Sequence, residues 1–281
     1  MANRIMTIEL LDRFAQYLRE EERSDATLEK YLREVRQFFL WLSGAQVSKT
    51  AVSQWKEYLL SHQYHPSTIN GKLTAPDRFL SYCGWQDCRV KHLKLQRQLF
   101  RKDHRELNRY EYGRLIAAAV RQGNERLALL IETICATGIR VSEVKYITLD
   151  AVHQSKAEVF LKGKIRTILI PGKLCRKLKK YAQKNKITSG ELFLTRSGRT
   201  LSRKQIWSEM KALCEKAGVE ASKVFPHNLR HLFARTFYNA CRDVVKLADV
   251  LGHSAIETTR IYLVSTGAEH TRMLEQLNLV Q

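Results

Sequence analysis

Proline is scarce in this 281-residue chain, with four, and the thirteen glycines form no repeat, which excludes collagenous and linker-like sequences. Six cysteines (Cys83, Cys88, Cys135, Cys175, Cys214 and Cys241) are scattered without a CxxC pair, which argues against a disulfide framework and a zinc ribbon. No stretch approaches eighteen apolar residues, and the opening MANRIMTIEL lacks the apolar core of a signal peptide. The expectation is a cytoplasmic globular protein with no membrane partner. With 44% hydrophobic residues it can bury a full core, and its length favours two domains over one.

Acidic residues are the other shortage: 28 Asp and Glu face 48 Lys and Arg, a formal charge of +20. Such an excess favours a polyanionic partner, nucleic acid first, through release of condensed counterions. The excess is uneven, with 15 basic against 11 acidic residues up to position 100 and 33 against 17 beyond it. The two parts therefore differ in task. Between Glu158 and Glu191 there are ten Lys or Arg and no acidic residue, a run that suits phosphate but also describes a solvated helix face.

Residues 1–95 read as helices. Ile8, Leu11, Ala15 and Leu18 share one face, as do Leu28, Leu32, Val35, Phe39 and Leu42. Shorter patterns span 52–60 and 67–80, where Pro76 should kink or end the helix. Residues 96–107 form a basic stretch without an apolar stripe, expected to be a linker. From residue 108 onward, Asn108 with Glu111 predicts a capping box, Asn124 caps a helix carrying Leu127, Leu130, Ile131 and Ile134, and Gly138 stops it just before Arg140. Residues 157–171 read as a β-hairpin turning at Gly163-Lys164. Helices are expected again at about 173–186, 203–217, 226–240 and 243–251, and Ser254 with Glu257 predicts a further capping box. The fold class that follows is mainly α, a helical bundle followed by a mixed α/β domain with a small antiparallel sheet.

Three fragments in the basic part carry chemistry. HNLRH (residues 227–231) places His227, Arg230 and His231 on one side of a helix, where they either converge on an anion or form a solvated basic face. A zinc site is the poorer reading, because the histidines lack an intervening Glu and a neighbouring Cys. ATGIRVSEV (136–144) places Glu143 three residues after Arg140, and LGHSAIETTRIYLV (251–264) places His253 nine residues before Tyr262. Each fragment alone also fits a surface ion pair, a cap or a core aromatic. Together they supply what metal-free attack on a phosphodiester requires. Guanidiniums clamp two nonbridging oxygens, a phenol acts as nucleophile beside imidazoles, and a hairpin lysine protonates the departing oxygen. Such chemistry requires folding to gather these distant groups around one phenolic oxygen.

The order Arg140, hairpin lysine, HNLRH, LGH and tyrosine resembles the tyrosine site-specific recombinases, the family of phage integrases and Xer-type recombinases, over about residues 105–265. TLEKYLREVRQFFLWL (27–42) resembles that family's core-binding domain. The resemblance implies a SAM-like core-binding domain over 1–95, a linker over 96–107 and a catalytic domain over 108–281 ending in a helical tail. It implies Tyr262 as nucleophile forming a 3′-phosphotyrosine link, Arg140 and Arg230 as holders of the scissile phosphate, His227 in proton movement at the tyrosine, and His253 bonding the phosphate. Glu143 and His231 would support the site. Lys162 is the favoured general acid, with Lys164 the alternative because the turn reads LKGK. The resemblance also implies a C-shaped clamp on specific double-stranded DNA sites, a homotetramer exchanging strands through a Holliday junction, and no cofactor or metal. A directionality factor or second recombinase is an optional partner, and the place of action is the cytoplasmic nucleoid. In the implied assembly the tail, with Met273, Leu274, Leu277 and Val280 at helical spacing, docks on a neighbouring protomer or on its own domain. A type IB topoisomerase-like or telomere-resolving enzyme and a non-catalytic DNA-binding regulator are the alternatives.

Overall fold

The computed structural model describes residues 4–95, 105–161, 164–262 and 275–277. Lys162, residues 96–104 of the expected linker, and Met273, Leu274 and Val280 of the tail lie outside the described residues. Contacts divide the chain into two units, Met1–Arg97 and Gln98–Gln281. Among the described residues no helix is long and apolar enough to cross a membrane.

The first unit contains α1 (Ile8–Glu20), α2 (Asp25–Leu42), α3 (Lys49–Ser61) and α4 (Pro66–Tyr82). Thr7 and Ser48 open α1 and α3 by accepting the N–H groups of Leu10 and Ala51. The core gathers Phe14, Leu18, Phe38, Trp55, Ile69 and Phe79. Three details differ from the sequence reading. Ile8, at the first position of α1, is 63% exposed, and Phe14 completes the stripe with Leu11 and Leu18. In α2 the buried residues are Glu34, Val35, Phe38 and Leu42, so Val35 and Leu42 keep their expected places while Phe38 takes that of Phe39, which is only partly covered. Pro76 does not end α4. Its missing N–H costs one backbone bond, while Leu73, Phe79 and Leu80 bury both halves of the helix in the same core.

The second unit begins with α5 (Arg109–Arg121), opened by the expected Asn108–Glu111 capping box, and α6 (Glu125–Thr137), capped by Asn124. Gly138, at φ +64°, ends α6 in the left-handed region, and a Cβ there would strike the Phe233 ring, so no other residue makes this turn without strain. A 3₁₀ turn (Val141–Tyr146) and α7 (Leu149–Gln154) lead to β1 (Lys156–Leu161) and β2 (Lys164–Leu169). The strands pair antiparallel with Val159 opposite Arg166. Lys164, read from the sequence as part of the turn, is already the first residue of β2 and pairs with Leu161, while Gly163 lies outside the described residues.

Helices α8 (Gly172–Lys184), α9 (Arg203–Ala212), α10 (Cys214–Ala217), α11 (Pro226–Cys241), α12 (Val244–Leu251) and α13 (Ile256–Arg260) follow. The main core of this unit forms around Leu115, Leu130, Ile134, Leu178, Ile206 and Leu229. A smaller cluster joins Ala234, Leu247, Leu251 and Tyr262. Ser254 does not cap the last helix. The chain enters α13 one residue later, at Ala255, without a side-chain cap.

Candidate active site

Four segments of the second unit converge on one buried guanidinium. Arg230 lies in the second turn of α11 and is only 2% exposed. Its Nη1 donates to the carbonyl of Gly138, and its Nη2 donates to the carbonyl of Leu251 at 2.9 Å. Gly138 is the C-cap of α6 and Leu251 the last residue of α12. Two helix C-termini, each the negative end of its dipole, thus point at one cation, which offsets part of the cost of removing it from water. Burial still pulls the Arg230 guanidinium below its ordinary pKa.

The same guanidinium meets the tyrosine. Arg230 Nε lies 3.4 Å from the Tyr262 hydroxyl, to which it donates. Tyr262 is 4% exposed, its ring set among the imidazoles of His231, His253 and His227 at centroid distances of 4.5, 5.8 and 6.1 Å. His227 and His231 are themselves 4.5 Å apart, one turn of α11 separating them. The phenol is therefore buried by its ring, while its oxygen faces the cation that a phosphate would seek.

His253 joins both sides of the site. Its Nε2 is 2.9 Å from Arg230 Nη2, and its Nδ1 is 2.8 Å from the hydroxyl of the fully buried Thr259. A guanidinium can only donate, so Nε2 must be the acceptor and the proton must sit on Nδ1, donated to Thr259. Burial first, then the charges of Arg230, Arg140 and Arg166, hold the His253 pKa down at about 4. His227 is lowered likewise by burial, Arg230 and Arg140. Both rings are neutral in the folded protein at pH 7, whereas an unfolded histidine titrates near 6.5.

That difference has a measurable sign. Between about pH 4 and 6.5 the unfolded chain binds a proton that the folded His253 ring refuses, so stability falls as pH drops through this window, and the lowered His227 acts in the same direction. The melting temperature of the DNA-free protein is expected to decrease from pH 7 to pH 4.5, and His253→Gln to reduce that decrease. Identical pH profiles for the two proteins would contradict the assignment.

Arg140 presents a different aspect. Its side chain stays 42% exposed, with Nη1 donating to Glu143 Oε1 at 2.9 Å and its backbone N–H to Oε2 at 2.8 Å. Glu143 is 1% exposed and also accepts from Arg166 Nη1 at 3.0 and 2.8 Å. Of the sequence-predicted residues, Arg140, Glu143, His227, Arg230, His231, His253 and Tyr262 thus come together. Lys164 opens β2, two residues before Arg166, and Lys162 lies outside the described residues.

Sequence reasoning missed Arg166 and Thr259. Arg166 had a signal: strand alternation puts it in the inward row with Ala157, Val159, Ile168 and Ile170, where a charge needs a partner. Thr259 had none, since only the fold brings it to His253.

Three guanidiniums against one carboxylate leave this centre with a net charge of about +2 when the imidazoles are neutral, matched to a phosphodiester whose negative charge grows during substitution. Glu143 is fully engaged by arginines, so the group of side chains suits an anion rather than a divalent cation. Among the described residues no group of three or more His, Cys, Asp or Glu is placed to hold a metal ion.

Residues 105–269 match the phage integrase family and residues 11–87 its N-terminal SAM-like domain. The chain is 28% identical to tyrosine recombinase XerA of Thermococcus kodakarensis over 95% of its own length and 94% of the relative's, and 28% identical to tyrosine recombinase XerD of Pseudomonas aeruginosa over 90% and 91%. Its fold matches a lambda integrase dimer bound to a core site (TM-score 0.73, 16% identity, 91% of this chain and 94% of that one). It also matches XerH bound to a palindromic difH substrate after cleavage (TM-score 0.71, 18% identity, 96% and 83%). With the family matched over more than half its length, the chain belongs to the phage integrase family and is a tyrosine site-specific recombinase.

Proposed function

We propose that the second unit cuts one DNA strand by attack of the Tyr262 hydroxyl on a scissile phosphate held by Arg140 and Arg230. The observation that carries this is the 3.4 Å approach of the phenolic oxygen to Arg230 Nε, on the guanidinium that His253 also meets. The phosphate takes the Nε donor as the hydroxyl swings from that nitrogen onto phosphorus. The tyrosine Oη–P bond forms, the bond from phosphorus to the 5′ oxygen breaks, and the products are a 3′-phosphotyrosine and a free 5′ hydroxyl. His227, neutral at pH 7, accepts the phenol's proton, and His231 holds the ring. His253 gives up its bond to Arg230 and changes tautomer, so that Nδ1 accepts from the Thr259 hydroxyl and Nε2 carries the proton it donates to the phosphate, and Glu143 fixes Arg140. A hairpin lysine, Lys162 by preference and Lys164 otherwise, gives its proton to the leaving oxygen.

A 5′ hydroxyl from a second duplex reverses the step and joins the strands. Because the ester stores the energy of the broken bond, no nucleotide cofactor or metal is called for. Two such rounds through a Holliday junction, on a homotetramer with the first unit as a core-binding domain, complete the exchange. A directionality factor or second recombinase is an optional partner in it, and the site of action is the nucleoid.

Genomic DNA from the source organism, incubated with the protein in EDTA, denatured and captured through the protein, should yield fragments sharing one short sequence. Two duplexes carrying that sequence should then give recombinant products. Relaxation of supercoiled DNA with no joined product would instead mark a topoisomerase-like enzyme. On a nicked duplex of the same sequence, either Lys162→Ala or Lys164→Ala should slow cleavage by about 10²–10⁴-fold. That variant alone should recover when sulfur replaces the leaving 5′ oxygen, since a thiolate departs without a proton. Unimpaired cleavage in both variants would remove the hairpin lysine as the acid.

A further inference from the structure

We propose that Arg166 is a positioning residue for strand cleavage: it locks Glu143, and through Glu143 fixes the direction in which Arg140 presents its guanidinium to the scissile phosphate. The proposal rests on the reading of Arg140, Arg230 and Tyr262 given above. Arg166 stands in β2 opposite Val159, on the inward row of the hairpin, with its side chain 11% exposed. Its Nη1 donates to both oxygens of Glu143 at 2.8 and 3.0 Å, and its Nη2 donates to the carbonyl of Val250 at 2.9 Å.

A second element of the LGH motif is shaped around this arginine. Gly252 adopts φ +64°, and a Cβ there would lie 2.3 Å from Arg166 Cδ and 2.5 Å from its Nε. The glycine thus ends α12 in the left-handed region and at the same time leaves a channel for the arginine stem, one residue before His253. Arg166 consequently links the hairpin to two places. One is the carboxylate that grips both the backbone N–H and the Nη1 of Arg140. The other is the end of α12, from which Leu251 supports Arg230 and His253 projects.

The reason for a guanidinium here is geometric. Glu143, 1% exposed, is a buried carboxylate shared by two arginines. With Arg166 gone it keeps only its two bonds to Arg140, and nothing on another element then fixes the direction of the oxygen that meets Nη1. Arg140, whose remaining nitrogens have no bond among the described residues, turns with it. Displacement of a positioning group by about 1 Å costs on the order of 10²-fold in rate. Lysine is a poor substitute, because a single ammonium cannot face Glu143 and the Val250 carbonyl together.

The test uses the full chain and a nicked suicide duplex carrying its own site, with adduct formation at saturating protein and the Kd for the same duplex read separately. Arg166→Met should slow adduct formation about 100-fold with Kd changed by less than about threefold, and Arg166→Lys about tenfold. Sulfur at the leaving 5′ position should restore neither, since the defect lies in the phosphate clamp and not in the acid. Arg166→Met combined with Glu143→Gln should be no slower than the slower single variant, as expected for two groups acting as one. The proposal is overturned by wild-type cleavage in Arg166→Met, by a loss expressed wholly in Kd, by recovery with the sulfur substrate, or by multiplying defects in the double variant. If Arg166→Met lacks a cooperative melt, Arg166→Lys decides, and cleavage within twofold of wild type overturns the proposal. A wild-type protein that forms no adduct would instead remove the underlying reading of Tyr262.

Discussion

Tyr262→Phe is expected to abolish the denaturation-resistant protein–DNA adduct, a loss of at least about 10⁴-fold, while leaving DNA binding and the melting temperature close to wild type. The size follows from the proposed chemistry, in which the Tyr262 oxygen is the nucleophile and its removal leaves nothing to attack the phosphorus. The mildness of the structural effect follows from the packing. The hydroxyl makes one long bond, 3.4 Å from Arg230 Nε, worth less than an ordinary hydrogen bond. The ring is held by carbon contacts, against His231 and within the cluster of Ala234, Leu247 and Leu251, all of which a phenylalanine keeps. Adduct formation on a nicked duplex, read on a denaturing gel in EDTA, measures the first effect, and thermal melting the second. The chain has eleven tyrosines, so an adduct that persists in the variant would place the nucleophile elsewhere.

Much of this site was legible in the sequence because each of its motifs is local. Gly138 stops α6 and so fixes where Arg140 emerges, and His227, Arg230 and His231 share one side of α11 through the helical period alone. What no local pattern carries is partnership. Arg230 reads as a surface cation until α6 and α12 are seen to aim their C-termini at it. Glu143 reads as the partner of Arg140 alone, and Arg166, which shares it from another element, is visible only as a charge on an inward strand position. The same limit explains the misread helices. Periodicity finds a stripe, but Phe14 rather than Ile8, and Phe38 rather than Phe39, are selected by the helices packed opposite. A helix end at Pro76 was expected from an intrinsic preference that burial along α4 overrides.

The two arginines proposed to hold the phosphate should separate when stability and cleavage are measured together. In the proposed mechanism both Arg140→Ala and Arg230→Ala remove a donor to the charge that develops on phosphorus, and each is expected to cut the cleavage rate by about 10²–10³-fold or more. Their structural settings are opposite. Arg140 is 42% exposed and tied by its side chain to Glu143 alone among the described residues, which keeps its bonds to Arg166 and to the Arg140 backbone in the variant. Its loss should leave the melting temperature within a few degrees of wild type. Arg230 is 2% exposed, and its removal orphans the carbonyls of Gly138 and Leu251 at two buried helix ends, frees the Nε2 of His253 and opens a cavity. Orphaned buried acceptors cost about 1–3 kcal/mol each, so Arg230→Ala should lose roughly 3–5 kcal/mol. Arg230→Lys should restore part of that stability without restoring cleavage, since an ammonium keeps the charge near the helix ends but cannot reach Gly138, Leu251 and the phosphate at once. Equal destabilisation by the two alanine variants would show that Arg230 is not the pivot on which α6, α12 and the tyrosine are assembled.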